Sequence, residues 1–192
     1  ERKNLNFLQR ILLEGETPYG DYDSHVIINK FDASNEVTGY GVGLTNGKVG
    51  NFKDFSIRGF DIQKIYSPLS MPGQYIRGVL FESKAFDNNV SYSYIHGRDR
   101  AIFGYLSPDV LQERESFVEG ARVTLFPEKD NQYSINYARG YGDARESFLK
   151  DQGFSVEGQH RWNNALLSRG EFAYDESAAA FTTVTQYSGD NH

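Results

Sequence analysis

Period-two alternation runs through most of the 192-residue chain. Along 132–141, Tyr133, Ile135, Tyr137 and Tyr141 fall on one side of an extended backbone, and Gln132, Ser134, Asn136, Ala138 and Gly140 on the other. Along 153–162, Phe154, Val156, Gly158, His160 and Trp162 oppose Ser155, Glu157, Gln159 and Arg161. Near the N-terminus Thr38, Tyr40, Val42 and Leu44 alternate with Gly39, Gly41 and Gly43. Such segments predict ten strands, at about 24–32, 36–45, 53–62, 74–86, 90–105, 116–126, 132–141, 153–162, 165–175 and 179–188. Helical spacing is rare. Leu5, Leu8, Ile11 and Leu12 fit one short amphipathic helix, and Ser107-Pro108-Asp109 reads as a helix cap with proline at the first helical position.

Register can be read by asking which hairpin pairing keeps both faces uniform, because a one-residue slip exchanges them. A three-residue turn Asn163-Asn164-Ala165 sets His160 beside Ser168, Val156 beside Phe172 and Phe154 beside Tyr174, and gathers Gln159, Arg169, Glu157, Glu171 and Arg161 on the opposite face. The hairpin around 127–131 pairs Leu125 with Tyr133, Val123 with Ile135, Ala121 with Tyr137 and Glu119 with Arg139. The hairpin at Asp87-Asn88 pairs Ala85 with Val90, Ser83 with Tyr92 and Phe81 with Tyr94. Links are short at 87–89, 127–131 and 163–165 and long at 61–73, 106–115 and 142–152. Consecutive antiparallel strands joined this way carry all the short turns at one end of the sheet.

Composition sharpens the picture. With 14 Phe and 13 Tyr, aromatic rings supply much of the apolar surface, yet the mean hydropathy is only −0.58. No run approaches the roughly 20 apolar residues that a spanning helix requires. The absence of cysteine removes disulfides, thiolate metal sites and thiol nucleophiles. A net charge of −6 without a basic cluster argues against nucleic acid as a partner. Glu1-Arg2-Lys3-Asn4 lacks the plan of a signal peptide, so the chain is expected to be a mature protein or part of a longer one.

On these strand segments and link lengths, over roughly residues 24–188, the chain resembles a Gram-negative outer-membrane β-barrel of porin type. The resemblance implies an all-β, antiparallel up-and-down transmembrane barrel of about ten strands, or part of a larger one, located in the outer membrane. Residues 1–23 would precede it as a plug, a periplasmic segment, a short helix or an extra strand, and 189–192 would form a tail. Such barrels close on a strand with a terminal aromatic residue, whereas here Tyr187 is followed by Ser188-Gly189-Asp190-Asn191-His192, which leaves the strand number open.

The implied function is a weakly selective pore, or the membrane part of a transport, export or surface assembly. Its partners would be outer-membrane lipid, small solutes or an exported substrate, and other subunits. Neither enzymatic activity nor a cofactor is expected. The lumen would be lined by Glu82, Lys84, Arg122, Asn136, Glu157, Gln159, Arg161, Arg169 and Glu171, whose mixed signs predict weak selectivity. Lipid and its interfaces would be faced by Tyr92, Tyr94, Tyr133, Tyr137, Tyr141, Phe154, Trp162, Phe172 and Tyr174. The link 61–73, with Pro68, Met71 and Pro72, is long enough to fold inward as a constriction.

The alternative is a soluble carbohydrate-binding β-sandwich, with exposed Tyr and Trp stacking on sugars. A barrel enzyme ranks third, since there is no Gly-x-Ser-x-Gly elbow and no nucleophile paired with a base. His25, His96, His160 and His192 are too scattered for a metal site, and Asp21-Tyr22-Asp23 reads as a turn rather than a calcium loop. Gly39, Gly41 and Gly43 keep strand period, and so leave one face of their strand flat rather than cradling a phosphate. Four Arg-Gly pairs recur; of these, Arg139 is expected at the membrane interface and Arg169 in the lumen.

Overall fold

A computed structural model describes residues 7–31, 34–50, 52–67, 69–71, 74–99, 116–142, 152–175 and 178–187. They form eleven strands: β1 Phe7–Thr17, β2 Gly20–Phe31, β3 Ser34–Val49, β4 Phe52–Lys64, β5 Gln74–Ala85, β6 Val90–Asp99, β7 Ser116–Leu125, β8 Gln132–Gly142, β9 Gln152–Arg161, β10 Leu166–Asp175 and β11 Ala179–Tyr187. All belong to one antiparallel sheet, ordered as in the sequence. There is no helix, and no second sheet packs on this one, among the described residues.

The three hairpin registers read from side-chain polarity are those adopted. His160 pairs with Ser168 and Phe154 with Tyr174, Val123 pairs with Ile135 and Glu119 with Arg139, and Phe81 pairs with Tyr94. The described sheet has eleven strands against the ten segments read from the sequence: it begins at Phe7, and the extra strand, one of the readings of residues 1–23, is β1. The segment expected as a helix is β1, every residue of which pairs with one of β2. Two-residue periodicity coexists there with the helical spacing, and a full ladder of partners outranks local propensity. A turn signal marks the hairpin. Pro18-Tyr19 separates Thr17 from Gly20, Thr17 Oγ1 donates to Gly20 O at 2.7 Å, and Gly20 sits at φ 139°. A Cβ on Gly20 would lie 2.5 Å from Thr45 O. Asp21 and Asp23, read as turn residues, lie within β2, opposite Glu16 and Glu14.

Expected closure into a barrel is also corrected. The sheet is open, with β1 and β11 at its two ends. Eleven strands, each reversing the last, leave β1 and β11 running in the same direction, so they cannot continue the antiparallel ladder by pairing with each other.

The sheet nevertheless curls. Ser67, three residues beyond β4, hydrogen bonds to Glu171 of β10. In a flat sheet six strand spacings, roughly 29 Å, would separate those strands, whereas three residues reach about 10 Å. Gly78 of β5 faces Gly97 of β6. A Cβ on Gly78 would meet His96 O at 2.0 Å, so the backbones approach too closely there for any side chain.

Curling gives the sheet an inner and an outer face. Inside, the link between β4 and β5 folds over an apolar patch. Tyr66 and Met71 from the link join Ile62, Ile76, Leu80, Ile95, Val118 and Ala138. Gly120 leaves the socket: a Cβ there would be 2.7 Å from Tyr66 Cε2 and 3.1 Å from Met71 Sδ. Gly39, Gly41 and Gly43 also face inward, and β2 side chains fill the space above them; a Cβ on Gly41 would meet His25 Cε1 at 2.6 Å, and one on Gly43 would meet Asp23 Oδ1 at 2.6 Å.

Candidate functional site

Successive pairings decide which side chains share a face. One row runs Glu82, Ser93, Arg122, Asn136, Ser155 from β5 to β9. The next runs Lys84, Ser91, Thr124, Ser134, Glu157, Glu171 from β5 to β10. Gln159 pairs with Arg169, and Arg161 with Leu167, in the same phase. All nine residues expected to line a lumen therefore stand on the inner face.

Most of their charges are paired locally. Glu157, with a side chain only 7% exposed, lies between two arginines: Arg122 Nη2 is 3.1 Å from its Oε2, and Arg169 donates to its Oε1. The Arg122 contact is a charge contact rather than an aligned hydrogen bond, since Oε2 accepts none. Arg122 also donates to Thr124 Oγ1 at 3.1 Å and Ser134 Oγ at 2.9 Å. This burial is sustained by partners on both sides, because removing one would strand a charge away from water. Lys64 pairs with Glu82, Lys84 with Glu128 at 2.5 Å, and Arg161 with Asp130 at 3.0 Å. Asn136 donates to Ser155 Oγ at 3.0 Å, with its own Oδ1 buried and unpartnered.

The β4–β5 link is tied into this network. Glu171, 2% exposed, accepts from Ser67 Oγ at 2.5 Å and from Leu69 N at 3.2 Å. Since the Ser67 hydroxyl proton goes to Glu171, Ser70 must be the donor in the 2.5 Å contact between the two serines. Ser70 N donates to the same oxygen. Tyr66 O accepts from Arg122, and Tyr66 Oη donates to Gly120 O at 3.4 Å. Burial pushes the Tyr66 phenol up to about 12. Beside the link a cavity of about 600 Å³ opens toward the short turns, lined by Lys64, Glu82, Lys84, Ser93, Arg122 and Glu128 among others.

The outer face is exposed and mostly apolar, with Glu119 and Arg98 among its rings: Glu119 accepts from Tyr94 Oη at 2.8 Å, and the Arg98 guanidinium lies 5.8 Å from the Phe117 ring. All nine residues expected to face lipid lie on it or at its rim, Phe154, Trp162, Phe172 and Tyr174 each more than half exposed. Tyr22, Tyr92 and Tyr133 stand near the short turns and Trp162 within one; Tyr75, Tyr141 and Tyr174 stand near the opposite ends of their strands; Ile57, Val79, Ile135 and Val156 lie between, as do Tyr94 and Tyr137. Arg139 lies on this face with its guanidinium 5.5 Å from the Tyr141 ring, while Arg169 lies inside. His160 packs edge-on against Trp162 at 4.6 Å, and His96 stacks on Phe117 and Tyr141. No metal-binding cluster occurs among the described residues.

Sequence reasoning missed Ser67, Leu69, Tyr66 and the partners Lys64, Glu128 and Asp130. The length of link 61–73 pointed inward, and Ser67-x-x-Ser70 is a local turn signal, but no pattern connects Ser67 to Glu171. Leu5, Pro68, Pro72, the whole of link 106–115 with Ser107-Pro108-Asp109, most of link 142–152, and His192 lie outside the described residues. No family model, curated protein or solved structure matches the chain.

Proposed function

We propose that the chain is an outer-membrane β-barrel segment that carries small solutes along a weakly selective polar path, or forms the membrane part of a transport, export or surface assembly. The observation that carries this reading is one curled sheet with two opposite faces. Outside, exposed aliphatic and aromatic side chains predominate, with Tyr and Trp near several strand ends and Tyr94 and Tyr137 at mid-strand. Inside, charges of both signs pair along the wall. Water disfavours the first arrangement over so large an area, whereas a bilayer with its two interfaces favours it. Seven of the eleven strands have 9–11 residues, about the length that tilted spanning strands require. The carbohydrate-binding sandwich needs a second sheet to cover the aromatic face, and none is present among the described residues.

Planar-bilayer recording tests the proposal. Insertion with small conductance steps and a reversal potential near zero in a salt gradient is expected. A protein that stays soluble and monodisperse without detergent, and gives no steps, refutes it.

A further inference from the structure

We infer that the free edge of β11 is a docking edge for one further β-strand, antiparallel to it, with apolar side chains outward and polar ones inward. Strand direction and edge composition carry this independently of membrane insertion.

The eleven strands alternate in direction, so β1 and β11 point the same way, and every neighbouring pair is antiparallel. A second copy in the same orientation would offer its β1 to this β11 and form a parallel pair, unlike any in the sheet. One intervening strand is antiparallel to β11 and to β1 at once.

Among the described residues no strand covers this edge. Edge strands are ordinarily blunted by charge, proline or bulges. β11 reads Ala179-Ala180-Phe181-Thr182-Thr183-Val184-Thr185-Gln186-Tyr187, without charge, proline or glycine, and with continuous pairing to β10 from Leu166 to Tyr174. Eight of its nine residues are exposed; Phe181 is 69% exposed and Tyr187 76%. Alternate backbone N–H and C=O groups of an antiparallel strand point to the same side, so about half of those in β11 face away from β10. A partner strand satisfies them and sets its outward side chains beside Phe181 and Tyr187 and its inward ones beside Thr182, Val184 and Gln186, the inner face being fixed by the pairing of Thr182 with Glu171 and of Val184 with Arg169.

The test uses the full chain in detergent micelles and, as probe, a capped peptide with the sequence of β10, Leu166 to Asp175, which already pairs antiparallel with β11 on its other side. Amide hydrogen exchange is followed over 179–187. Without peptide the amides facing away from β10 should exchange at loop rates; with peptide they should slow at least roughly tenfold while the amides of β10 stay unchanged, and a peptide of the same composition with its apolar residues contiguous should do nothing. No slowing at saturating solubility of the peptide overturns the inference. So does protection of all β11 amides without peptide together with a doubled sedimenting mass, which assigns the edge to a second copy. Neither result depends on conductance, so the inference and the proposed function fail separately.

Discussion

Glu171→Gln tests what holds the β4–β5 link against the inner face. The carboxylate accepts two hydrogen bonds from the link, one from the Ser67 hydroxyl and one from the Leu69 amide. An amide side chain keeps one acceptor oxygen. If that oxygen takes the Leu69 N–H, its NH2 group faces Ser67 Oγ, which already accepts from Ser70 and must give up its own donation. At least one charge-assisted bond is therefore lost, costing about 1.5–3 kcal/mol at a buried site. The link should then open roughly 10- to 150-fold more often. Exchange of the Tyr66 and Met71 amides, which close the link through Met71 O and Ser67 O, reports this opening. The amides of β6 and β7 serve as an internal reference and should not move. Glu171→Ala, which abolishes both acceptors, should exceed the Gln variant. Exchange at Tyr66 and Met71 unchanged within about twofold in both variants would show that apolar packing alone holds the link, and would refute the reasoning.

Gly120→Ala should loosen the same link by overpacking, at about 1–3 kcal/mol, because its Cβ would meet the Tyr66 ring; thermal unfolding with exchange at Tyr66 measures this, and an unchanged Tyr66 amide counts against the socket. For Tyr66 the folded pKa lies above the unfolded value, so between pH about 10 and about 12 the unfolded state binds fewer protons, and stability falls as pH rises through that window. Ultraviolet titration should lose one tyrosine's amplitude near 12 in Tyr66→Phe. Ile135→Arg, on the outer face, should cost about 2–4 kcal/mol for chain refolded into vesicles, whereas an ordinary water-exposed site would cost under about 0.5; urea titration separates the two. Fluorescence of Trp162 should be quenched by brominated lipid and unmoved by added sugars; the reverse pattern favours the carbohydrate-binding alternative.

Three hairpin registers and the assignment of eighteen side chains to two faces were legible because strand periodicity and short turns are local. The same locality misled at β1. Leu8, Ile11 and Leu12 satisfy a helical spacing, and only the turn at Pro18-Tyr19 and the ladder to β2 decide for a strand. That β1 and β11 run in the same direction is a matter of parity, which turned on that one additional strand. Pairing of charges was only partly legible: register placed Glu157 next to Glu171, but Arg122 reaches Glu157 from β7 across β8 by side-chain length, which period-two reasoning does not capture. The contact of Ser67 with Glu171 spans 104 residues and depends on how sharply the sheet curls.

That contact also orders events in time. Every strand pairs with its sequence neighbours, so assembly can propagate hairpin by hairpin with only the link between adjacent strands to close at each step. Ser67 meets Glu171 only after β5 through β10 have zipped and bent, and its loop closure carries the entropy of the whole intervening segment. Formation of the latch is thus a late step of folding, and a probe at Tyr66 reads the completion of the wall rather than its nucleation.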